Sequence, residues 1–470
     1  MSDNLEVKKY ERKATSPERL FTRSPFSIVT MVARIKGNVT AEMLKNAVAK
    51  AQQRHALLRV RIKDEADHTQ WFTSEEVQEI PIEIVPRKAE NDWIKIYTEA
   101  SKIPFEFETR PLIRFILVQS PDVSELIILC HHMICDGMSL AYLARDLMVY
   151  LGGPFRRVEL LPTPEPITLD NLPSDVSQSS LVKAFINRMN QKWVEDSVFF
   201  DNEDYEVLTK TYWDNFNHEI FSIELSEEET SALVARCRKE NITVNSALTA
   251  AFSGAQTFVE GEKPYHARTV IATSFRDQLP NPPGEAVGYF AAGVELKLKY
   301  NHKKGFWENA RNFHKKIRPN FTNKKMFAEI LNWLYLEPTF FEAMNFKKLG
   351  GLIPPESARY EKLSAFSKKE DVVLRFLKRD KMDSLESKYL GAGITNLGRL
   401  DFPKTYGALE LDRLIMQPGG AFPLSQVNLV LGAVTCSGKL SLIVEYAEEA
   451  VDTATMEKIK DKAMEFLVGE

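Results

Sequence analysis

The chain has 470 residues, with 61 basic and 65 acidic side chains and a formal net charge of -4. This balance gives no electrostatic case for binding nucleic acid, and 44% hydrophobic residues exclude a disordered chain or a fibre. No run of 18 apolar residues and no apolar N-terminal core occur, so neither a transmembrane helix nor a secretory signal is predicted. Four scattered cysteines without a C-x-x-C pair favour a reducing, cytoplasmic location.

The first half of the chain alternates strand and helix signals. Alternating or continuous apolar runs predict strands, and apolar residues spaced by three and four predict helices. Thr40 is the predicted N-cap of the first long helix. In chain order the predicted elements are a strand at 27–35, a helix at 41–55, strands at 57–62 and 69–72, a helix at 92–101, strands at 112–119 and 126–130, and a helix at 140–151.

The second half resumes the alternation after a proline-rich segment. Ser226 is predicted to cap a helix that ends near residue 240, with Glu229 completing a capping box. In chain order the other predicted elements are a strand at 219–225, a helix at 245–259, strands at 270–274 and 288–298, helices at 306–318 and 324–344, strands at 391–396, 428–434 and 440–446, and a helix at 453–467.

The proline-rich segment lies at residues 152–174 and has little periodicity, which is typical of an exposed connector. Mixed strands and helices on both sides of it predict an α/β fold with two lobes. The predicted boundaries are an N-terminal lobe at 1–160, a connector with a linker helix at 161–210, and a C-terminal lobe at 211–470.

The most informative stretch is an apolar strand that runs directly into two histidines. His131 and His132 are followed by Asp136 and Gly137 in a short loop, and an amphipathic helix then begins. A strand-to-helix turn is where α/β proteins display reactive side chains. Adjacent strand residues point to opposite faces, so the two histidines cannot easily share one ion, and no metal site is predicted.

One histidine of the pair is predicted to face the core and the other a cavity. A neutral imidazole titrates at about pH 6.5, so it can accept a proton at cellular pH. One interpretation is therefore a general base, and the alternative is that both histidines are hydrogen-bonded core residues. Cys135 stands next to Asp136, whose charge raises the pKa of a thiol, and this argues against a cysteine nucleophile.

The pattern His131-His132-x-x-x-Asp136-Gly137 resembles the HHxxxDG signature of a large acyltransferase superfamily. Its members include the condensation domains of peptide synthetases, chloramphenicol acetyltransferase and mycobacterial polyketide-associated acyltransferases. Other segments resemble the superfamily in the same order and extend the similarity from near residue 20 to near residue 465. These segments are residues 54–59, 104–106, 110–114, 243–248, 274–276, 287–290 and 395–398.

The resemblance implies two chloramphenicol-acetyltransferase-like α/β lobes, each a mixed sheet flanked by helices, with a channel between them. It implies an acyltransferase in which His132 is the general base. The acceptor then attacks an acyl thioester directly, without an acyl-enzyme. His131, Asp136, Gly137 and Arg276 are implied to have supporting or structural roles, with Asp136 paired to Arg276.

The same resemblance supplies expectations for the ligands. Thr395, Asn396 and the Gly137 N–H are candidates for oxyanion or acceptor contacts. The implied donor is acyl-CoA or a phosphopantetheine thioester on an acyl carrier protein, and the implied acceptor is a small alcohol or amine. No permanently bound cofactor, metal or nucleic acid is implied.

Two departures narrow the resemblance. Residues 419–423 read Gly-Gly-Ala-Phe-Pro where plant acyltransferases have DFGWG, and the HQD motif of peptide synthetases is not found. No carrier segment or adenylation domain is recognisable, so the chain is most similar to free-standing mycobacterial polyketide-associated and alcohol acetyltransferase-like members. Three hypotheses follow: an O- or N-acyltransferase that uses acyl-CoA, a free-standing condensation enzyme that uses carrier-bound substrates, and a non-catalytic binding member. The intact HHxxxDG pattern argues against the third.

Overall fold

The computed structural model describes residues 9–379 and 381–469, which form two six-stranded sheets and a three-stranded sheet. Helices flank both large sheets, and each large sheet mixes parallel and antiparallel pairs. The predicted α/β class with two mixed sheets is therefore confirmed. Within the described ranges, no helix is both long enough and apolar enough to cross a bilayer.

The strands of the described residues follow in chain order. They are β1 (Glu11–Lys13), β2 (Ile28–Lys36), β3 (Arg61–Asp64), β4 (Gln70–Thr73), β5 (Ile82–Pro86), β6 (Ile113–Gln119), β7 (Val123–His131), β8 (His218–Glu224), β9 (Arg268–Ser274), β10 (Ala291–Lys297), β11 (Leu390–Leu400), β12 (Thr405–Tyr406), β13 (Leu409–Gln417), β14 (Val427–Cys436) and β15 (Lys439–Ala447).

The α-helices of the described residues are also given in chain order. They are α1 (Ser16–Arg19), α2 (Ala41–Arg54), α3 (Asp92–Ser101), α4 (Gly137–Gly152), α5 (Ser180–Val194), α6 (Asn202–Asn215), α7 (Glu227–Lys239), α8 (Val244–Glu260), α9 (Phe306–Ile317), α10 (Asn323–Met326), α11 (Ala328–Tyr335), α12 (Thr339–Leu349), α13 (Tyr360–Lys368), α14 (Val372–Arg379) and α15 (Thr453–Val468).

The N-terminal sheet has the strand order β12-β13-β2-β7-β6-β5. Strands β2 and β7 are antiparallel, and their register places Ile28 opposite His131. Helix α4 follows β7 after a short turn and packs back on this sheet with α2. This order puts the two-histidine turn at the end of a central strand, where neighbouring strands hold the backbone on both sides.

The C-terminal sheet has the order β10-β9-β11-β14-β15-β8 and separates two cores. Leu429 and Leu431 of β14 face a core formed with α7, α8, α9 and α15. Val430 of the same strand faces the opposite way, toward α5, α6 and α12–α14, which we call the helical body. Alternate side chains of one strand point to opposite faces, so a single strand serves both cores.

The two large sheets are joined by a strand that crosses between the lobes. Strand β13 comes from the C-terminal half of the sequence but pairs with β2 in the N-terminal sheet. At the far end of this junction, Arg34 makes a two-pronged ion pair with Glu224, with N–O distances of 2.6 and 2.9 Å. The lobes are therefore connected by main-chain hydrogen bonds as well as by the connector.

Several regions differ from the elements predicted from sequence. The predicted helix at 324–344 is three helices, α10, α11 and α12. Pro338 accounts for the break between α11 and α12, because a proline disfavours a helical residue before it. The predicted strand at 57–62 begins as a 3-10 turn, Ala56–Arg59, and only its end joins β3. No counterparts were predicted for strands β1, β5, β12 and β13 or for helices α1, α13 and α14. Strand β13 is a non-local part of the N-terminal sheet, and α13 and α14 are parts of the helical body.

We expect limited proteolysis to cut first in the connector. Residues 153–168 form neither helix nor strand, and Phe155 is 98% exposed and is followed by exposed Arg156 and Arg157. Trypsin should cleave after these arginines, since extended exposed backbone fits a protease cleft. The two fragments should still co-elute on gel filtration, because β13 stays paired with β2. First cleavage inside the helical body, or separation of the fragments, would contradict this expectation, and until then the lobe boundaries stay a prediction.

Candidate active site

His132 lies just after the end of β7, and its ring has a single defined tautomer. The Nδ1 atom lies 2.8 Å from the carbonyl oxygen of Cys135, and the His132 backbone N–H donates to the Ser27 carbonyl over 2.8 Å. A carbonyl oxygen only accepts hydrogen bonds, so Nδ1 carries the proton. The lone pair of Nε2 is then left to accept a proton.

Two aromatic rings enclose the His132 imidazole. The Phe21 ring is stacked on it, with a centroid distance of 4.4 Å and an interplanar angle of 21°. The Tyr289 ring stands edge-on at 5.2 Å and 84°. Burial lowers the pKa of His132, and the hydrogen bond to Cys135 and the charge of Asp136 oppose this shift without reversing it. The ring therefore stays neutral to a lower pH than an exposed histidine would.

His131 has a different environment on the other side of the strand end. It is 1% exposed, and its Nδ1 accepts a hydrogen bond of 3.2 Å from the Met133 N–H. The rings of Phe105 and Phe107 stand edge-on to it at 5.6 and 5.1 Å. Burial, with smaller contributions from His132 and Arg114, lowers the pKa of His131 to about 3. This imidazole is a neutral core group.

Asp136 caps helix α4 and pairs with Arg276. Its Oδ1 accepts from the Ser139 N–H at 2.7 Å and lies 3.2 Å from Arg276 Nη2, while Oδ2 accepts from the Phe290 N–H at 2.9 Å. Arg276 also donates to the carbonyls of residues 284 and 286 at 3.0 and 2.9 Å. Both carboxylate oxygens are thus occupied by structural partners, and the group has no hydrogen bond to either histidine.

Sequence reasoning did not single out Ser139, which links the same elements. Its hydroxyl donates to the Gly288 carbonyl at 2.6 Å, accepts from the Gly288 N–H at 3.1 Å, and also accepts from Arg276. The loop that carries Tyr289 is therefore fastened to the first turn of α4. A serine two residues after a helix-starting glycine has no distinct signal in a single sequence.

Gly137 is the first residue of α4 and allows a close approach between the lobes. A Cβ at this position would lie 2.7 Å from Met416 Cε and 3.0 Å from Leu397 Cδ2, so a larger residue would displace both side chains. As the first helical residue, its N–H has no acceptor within the helix. Gly137 therefore combines a backbone N–H without a helical acceptor and close packing against Met416 and Leu397.

A cavity of about 470 Å³ opens beside the first turn of α4 and the first turn of α8. It brings Gly137, Thr395 and Asn396 together, while its wall within the described residues includes neither His132 nor Arg276. Asn396 Oδ1 accepts from the Gly398 N–H at 2.8 Å, which holds the end of β11. The remaining wall combines small, hydroxyl and amide residues with apolar side chains and the Asp136 carboxylate. The first group is Thr243, Asn245, Ala272, Thr273, Ser274, Ala291 and Gly398, and the apolar group is Met138, Val244, Ile271, Phe321 and Leu397.

The position of Cys135 does not suit a nucleophile. It is fully buried, its Sγ donates to the His131 carbonyl at 3.4 Å, and burial raises the pKa of the thiol well above its ordinary value.

We expect Cys135→Ala to keep at least about a tenth of wild-type turnover, since only a weak hydrogen bond and a small volume are lost. Intact-mass spectrometry after incubation with an acyl thioester should show no adduct. An acyl group on Cys135 would contradict direct transfer.

Family models match most of the chain. A model for condensation domains matches residues 16–153, and a model for alcohol acetyltransferases matches residues 86–349, which is more than half of the chain. Both matches cover the two-histidine turn and α4, and the second also covers Arg276.

Curated relatives are large synthetases that contain a similar segment. The chain is 24% identical over 316 residues to nonribosomal peptide synthetase kk1B of Curvularia clavata, which is 65% of this chain and 2% of that protein. It is 26% identical over 266 residues to cyclosporin synthetase simA of Tolypocladium inflatum, or 53% of this chain and 2% of that protein. The chain thus spans only a small part of these relatives' length.

Solved structures with the same fold cover nearly all of the chain. The trichothecene 15-O-acetyltransferase TRI3 from Fusarium sporotrichioides superposes with a TM-score of 0.64 at 12% identity, covering 98% of this chain and 96% of that one. Polyketide synthase associated protein 5 from Mycobacterium tuberculosis gives 0.56 at 15% identity, covering 97% and 98%. The epimerization domain of the third module of tyrocidine synthetase B gives 0.60 at 13%, covering 98% and 97%. At these identities the similarity shows the fold.

Proposed function

The chain belongs to the alcohol acetyltransferase family, and from this premise we propose that it transfers an acyl group from a thioester to an acceptor hydroxyl, with His132 as the general base. The observation that carries the proposal is the tautomer of His132. Its Nδ1–H is held by the Cys135 carbonyl at 2.8 Å, so Nε2 offers a lone pair on a neutral ring. General-base transfer of this kind contributes about 10²–10⁴-fold in rate.

The proposed reaction passes through one tetrahedral intermediate and no acyl-enzyme. His132 Nε2 takes the proton of the acceptor hydroxyl as the oxygen forms a bond to the thioester carbonyl carbon. The intermediate collapses with cleavage of the C–S bond, and the proton on Nε2 passes to the leaving sulfur. The imidazolium is supported meanwhile by the Nδ1–H bond to the Cys135 carbonyl.

Asp136 is not the proton acceptor in this proposal. Its two carboxylate oxygens accept from the Ser139 and Phe290 N–H groups and face Arg276. Both oxygens are therefore occupied by structural partners, and neither is directed to an acceptor hydroxyl. We therefore assign Asp136 and Arg276 to holding α4 against the C-terminal lobe.

The developing oxyanion is assigned to the start of α4. The Gly137 N–H has no acceptor within the helix, and Gly137 lines the same cavity as Thr395 and Asn396. One oxyanion donor of this kind is worth about 2.7–4 kcal/mol of transition-state stabilisation. The Gly137 N–H is the primary candidate because a backbone donor at a helix start needs no side-chain ordering.

The donor class follows from the chemistry of the cavity wall. The wall offers hydroxyl and amide groups beside apolar side chains and, within the described residues, no Lys or Arg side chain. The Asp136 carboxylate in this wall is already paired with Arg276. That chemistry fits the neutral, amide-containing pantetheine arm that acyl-CoA and acyl carrier proteins share. Discrimination between the two donors is then assigned to contacts outside this cavity.

A second candidate is a condensation enzyme that joins carrier-bound substrates. It is supported by the condensation-domain match at residues 16–153 and by the peptide synthetase relatives. This candidate keeps the same base and the same intermediate but changes the donor and the acceptor. The test of the primary proposal therefore includes carrier-bound donors.

The test is a thiol-release assay with acyl-CoA, acyl-pantetheine and acyl carrier protein donors of several chain lengths, each with mixed alcohols and amines. We expect release that depends on both donor and acceptor, with an ester product confirmed by mass spectrometry. Turnover only with carrier-bound donors would favour the condensation enzyme. No thiol release with any donor would contradict catalysis and leave a binding role.

A further inference from the structure

The segment from Arg19 to Arg23 runs between the two-histidine turn and the helical body. Its central residue, Phe21, stacks on the His132 ring, with 4.4 Å between ring centroids. The side chains of Arg19 and Arg23 both reach Glu342, on α12 of the helical body. The segment therefore joins the base directly to an element more than 300 positions away in sequence.

The anchor of this segment is a buried cluster of charges. Arg19 Nε lies 3.2 Å from Glu342 Oε1, and Arg23 Nη1 lies 2.8 Å from Glu342 Oε2. The Glu342, Arg19 and Arg23 side chains are 3%, 4% and 5% exposed. Arg23 Nη2 also pairs with Asp64 at 2.5 Å. One carboxylate thus holds both ends of a five-residue segment, and burial makes the two Glu342 contacts sensitive to loss of charge.

The backbone of the segment is also constrained. Arg23 has a φ of 53°, in the left-handed region that residues with a side chain seldom adopt. Arg19 Nη1 donates to the His68 carbonyl at 2.8 Å, and the Thr22 hydroxyl donates to Gln70 Oε1 at 3.1 Å. A non-glycine residue stays in this conformation only where its surroundings hold it. The contacts on both sides of Phe21 supply that restraint.

At the active site, the Phe21 ring is stacked on one face of the His132 imidazole, and the Tyr289 ring stands edge-on to the same imidazole. The Tyr289 ring also meets Phe21 edge-on at 4.9 Å, so the three rings form one cluster. The Nδ1 edge of His132 is occupied by the Cys135 carbonyl. The Nε2 edge is therefore the part of the ring left for substrate, and the ring cannot turn over without displacing Phe21.

We propose that Phe21, anchored through Arg19 and Arg23 to Glu342, is a positioning residue that keeps the His132 ring oriented and shielded from water. The inference rests on the proposed role of His132 as base and deepens it. It makes the helical body part of the catalytic apparatus, because an intact Glu342 contact is needed to hold the ring that covers the base.

The expected consequence is a change in the pH dependence of the base. Burial is the main cause of the lowered pKa of His132. Removing the Phe21 ring admits water to one face of the imidazole, which stabilises the charged form and raises its pKa toward the ordinary value. A higher pKa moves the acid limb of kcat/KM to higher pH, because the free base must be neutral to act.

The first experiment compares Phe21→Ala, which loses the stacked ring, with Phe21→Tyr, which keeps it. Phe258→Ala is the control. Phe258 is 61% exposed and lies at the end of α8, so its loss should leave turnover and pH profile as in the wild type. We expect the acid limb to rise by roughly 0.5–1 pH unit in Phe21→Ala and to stay in place in Phe21→Tyr. In parallel, ¹³C-histidine NMR titration should show the same rise for His132 without any need for substrate.

The second experiment tests the anchor with Glu342→Gln, which keeps the side-chain size and removes the charge. We expect the acid limb and the His132 NMR titration to move in the same direction as in Phe21→Ala. Glu342 contacts neither the base nor the 470 Å³ cavity, so a purely structural role would lower Tm without moving either titration. If Glu342→Gln does not fold, Arg19→Lys keeps the charge while losing the planar fork and takes its place.

The outcomes separate this inference from the proposed function. Full turnover in His132→Ala would overturn the base and the positioning role together. Loss of turnover in His132→Ala with an unchanged titration of His132 in Phe21→Ala would overturn the positioning role alone. A shift in Phe21→Ala with none in Glu342→Gln or Arg19→Lys would overturn the anchor.

Discussion

Replacing His132 with alanine is expected to lower kcat by about 10²–10⁴-fold while changing Tm little. The rate falls because Nε2, the proposed proton acceptor, is removed. The structural loss is small by comparison, since the ring is partly exposed and makes one hydrogen bond, to the Cys135 carbonyl. Steady-state turnover and thermal unfolding of the same preparation check both halves of this expectation.

The matched control is His131→Ala, one residue earlier. His131 is packed between Phe105 and Phe107 and accepts from the Met133 N–H, so its loss leaves a cavity and an unpaired donor. We expect Tm to fall strongly, in line with core truncations that cost about 2–5 kcal/mol, with residual activity per folded molecule retained. Opposite behaviour of the two variants would exchange their roles, and full activity in His132→Ala would remove the base.

The second large effect is expected on stability, from Asp136 and Arg276. Asp136→Ala leaves a buried guanidinium without its countercharge and removes the acceptor of the Phe290 N–H. Breaking a buried pair from one side costs about 3–5 kcal/mol. The lost cap of α4, at the Ser139 N–H, is worth about 1 kcal/mol more. Urea unfolding measured by far-UV circular dichroism gives these free energies.

The double variant distinguishes an ion pair from two independent contributions. Arg276→Ala removes the donor to Asp136 and to two loop carbonyls, so it should also destabilise strongly. The double variant contains neither charge, so no unpaired charge is left buried. Its loss of unfolding free energy should therefore be smaller than the sum of the two single losses by about 0.5–3 kcal/mol. Additive losses would show that the two side chains act separately. Asp136→Asn is a useful further variant, because it keeps a cap acceptor without the charge.

These residues also explain how stability and catalysis are linked between the lobes. Asp136 starts a helix of the N-terminal lobe, and its partners Arg276 and Phe290 flank the loop that carries Tyr289. Tyr289 in turn contacts His132. Weakening the Asp136 contacts therefore loosens one of the two rings that enclose the base, and a partial loss of turnover should accompany the loss of stability.

The local parts of this structure were predictable from the sequence. The apolar run of β7, the turn and the amphipathic α4 follow from short-range periodicity, and Ser226 forms its predicted capping box with Glu229. The opposite surroundings of His131 and His132 likewise follow from the alternation of a strand. Residues within about ten positions of one another determine all of these features, so a single sequence contains them.

Tertiary structure alone decided which distant residues meet at the base. Asp136 and Arg276 are 140 positions apart, and only a resemblance to known proteins suggested their pairing. Phe21 and Glu342 had no signal, since an aromatic ring or a carboxylate looks the same in sequence whether it packs in a core or against a catalytic group. Tyr289 lies in the resembling segment 287–290, but its contact with His132 was not predicted. The insertion of β13 beside β2 was missed for the same physical reason. Pairing between remote strands depends on how their surfaces pack together and on the entropy cost of closing the chain between them. The local residue pattern of either strand determines neither quantity.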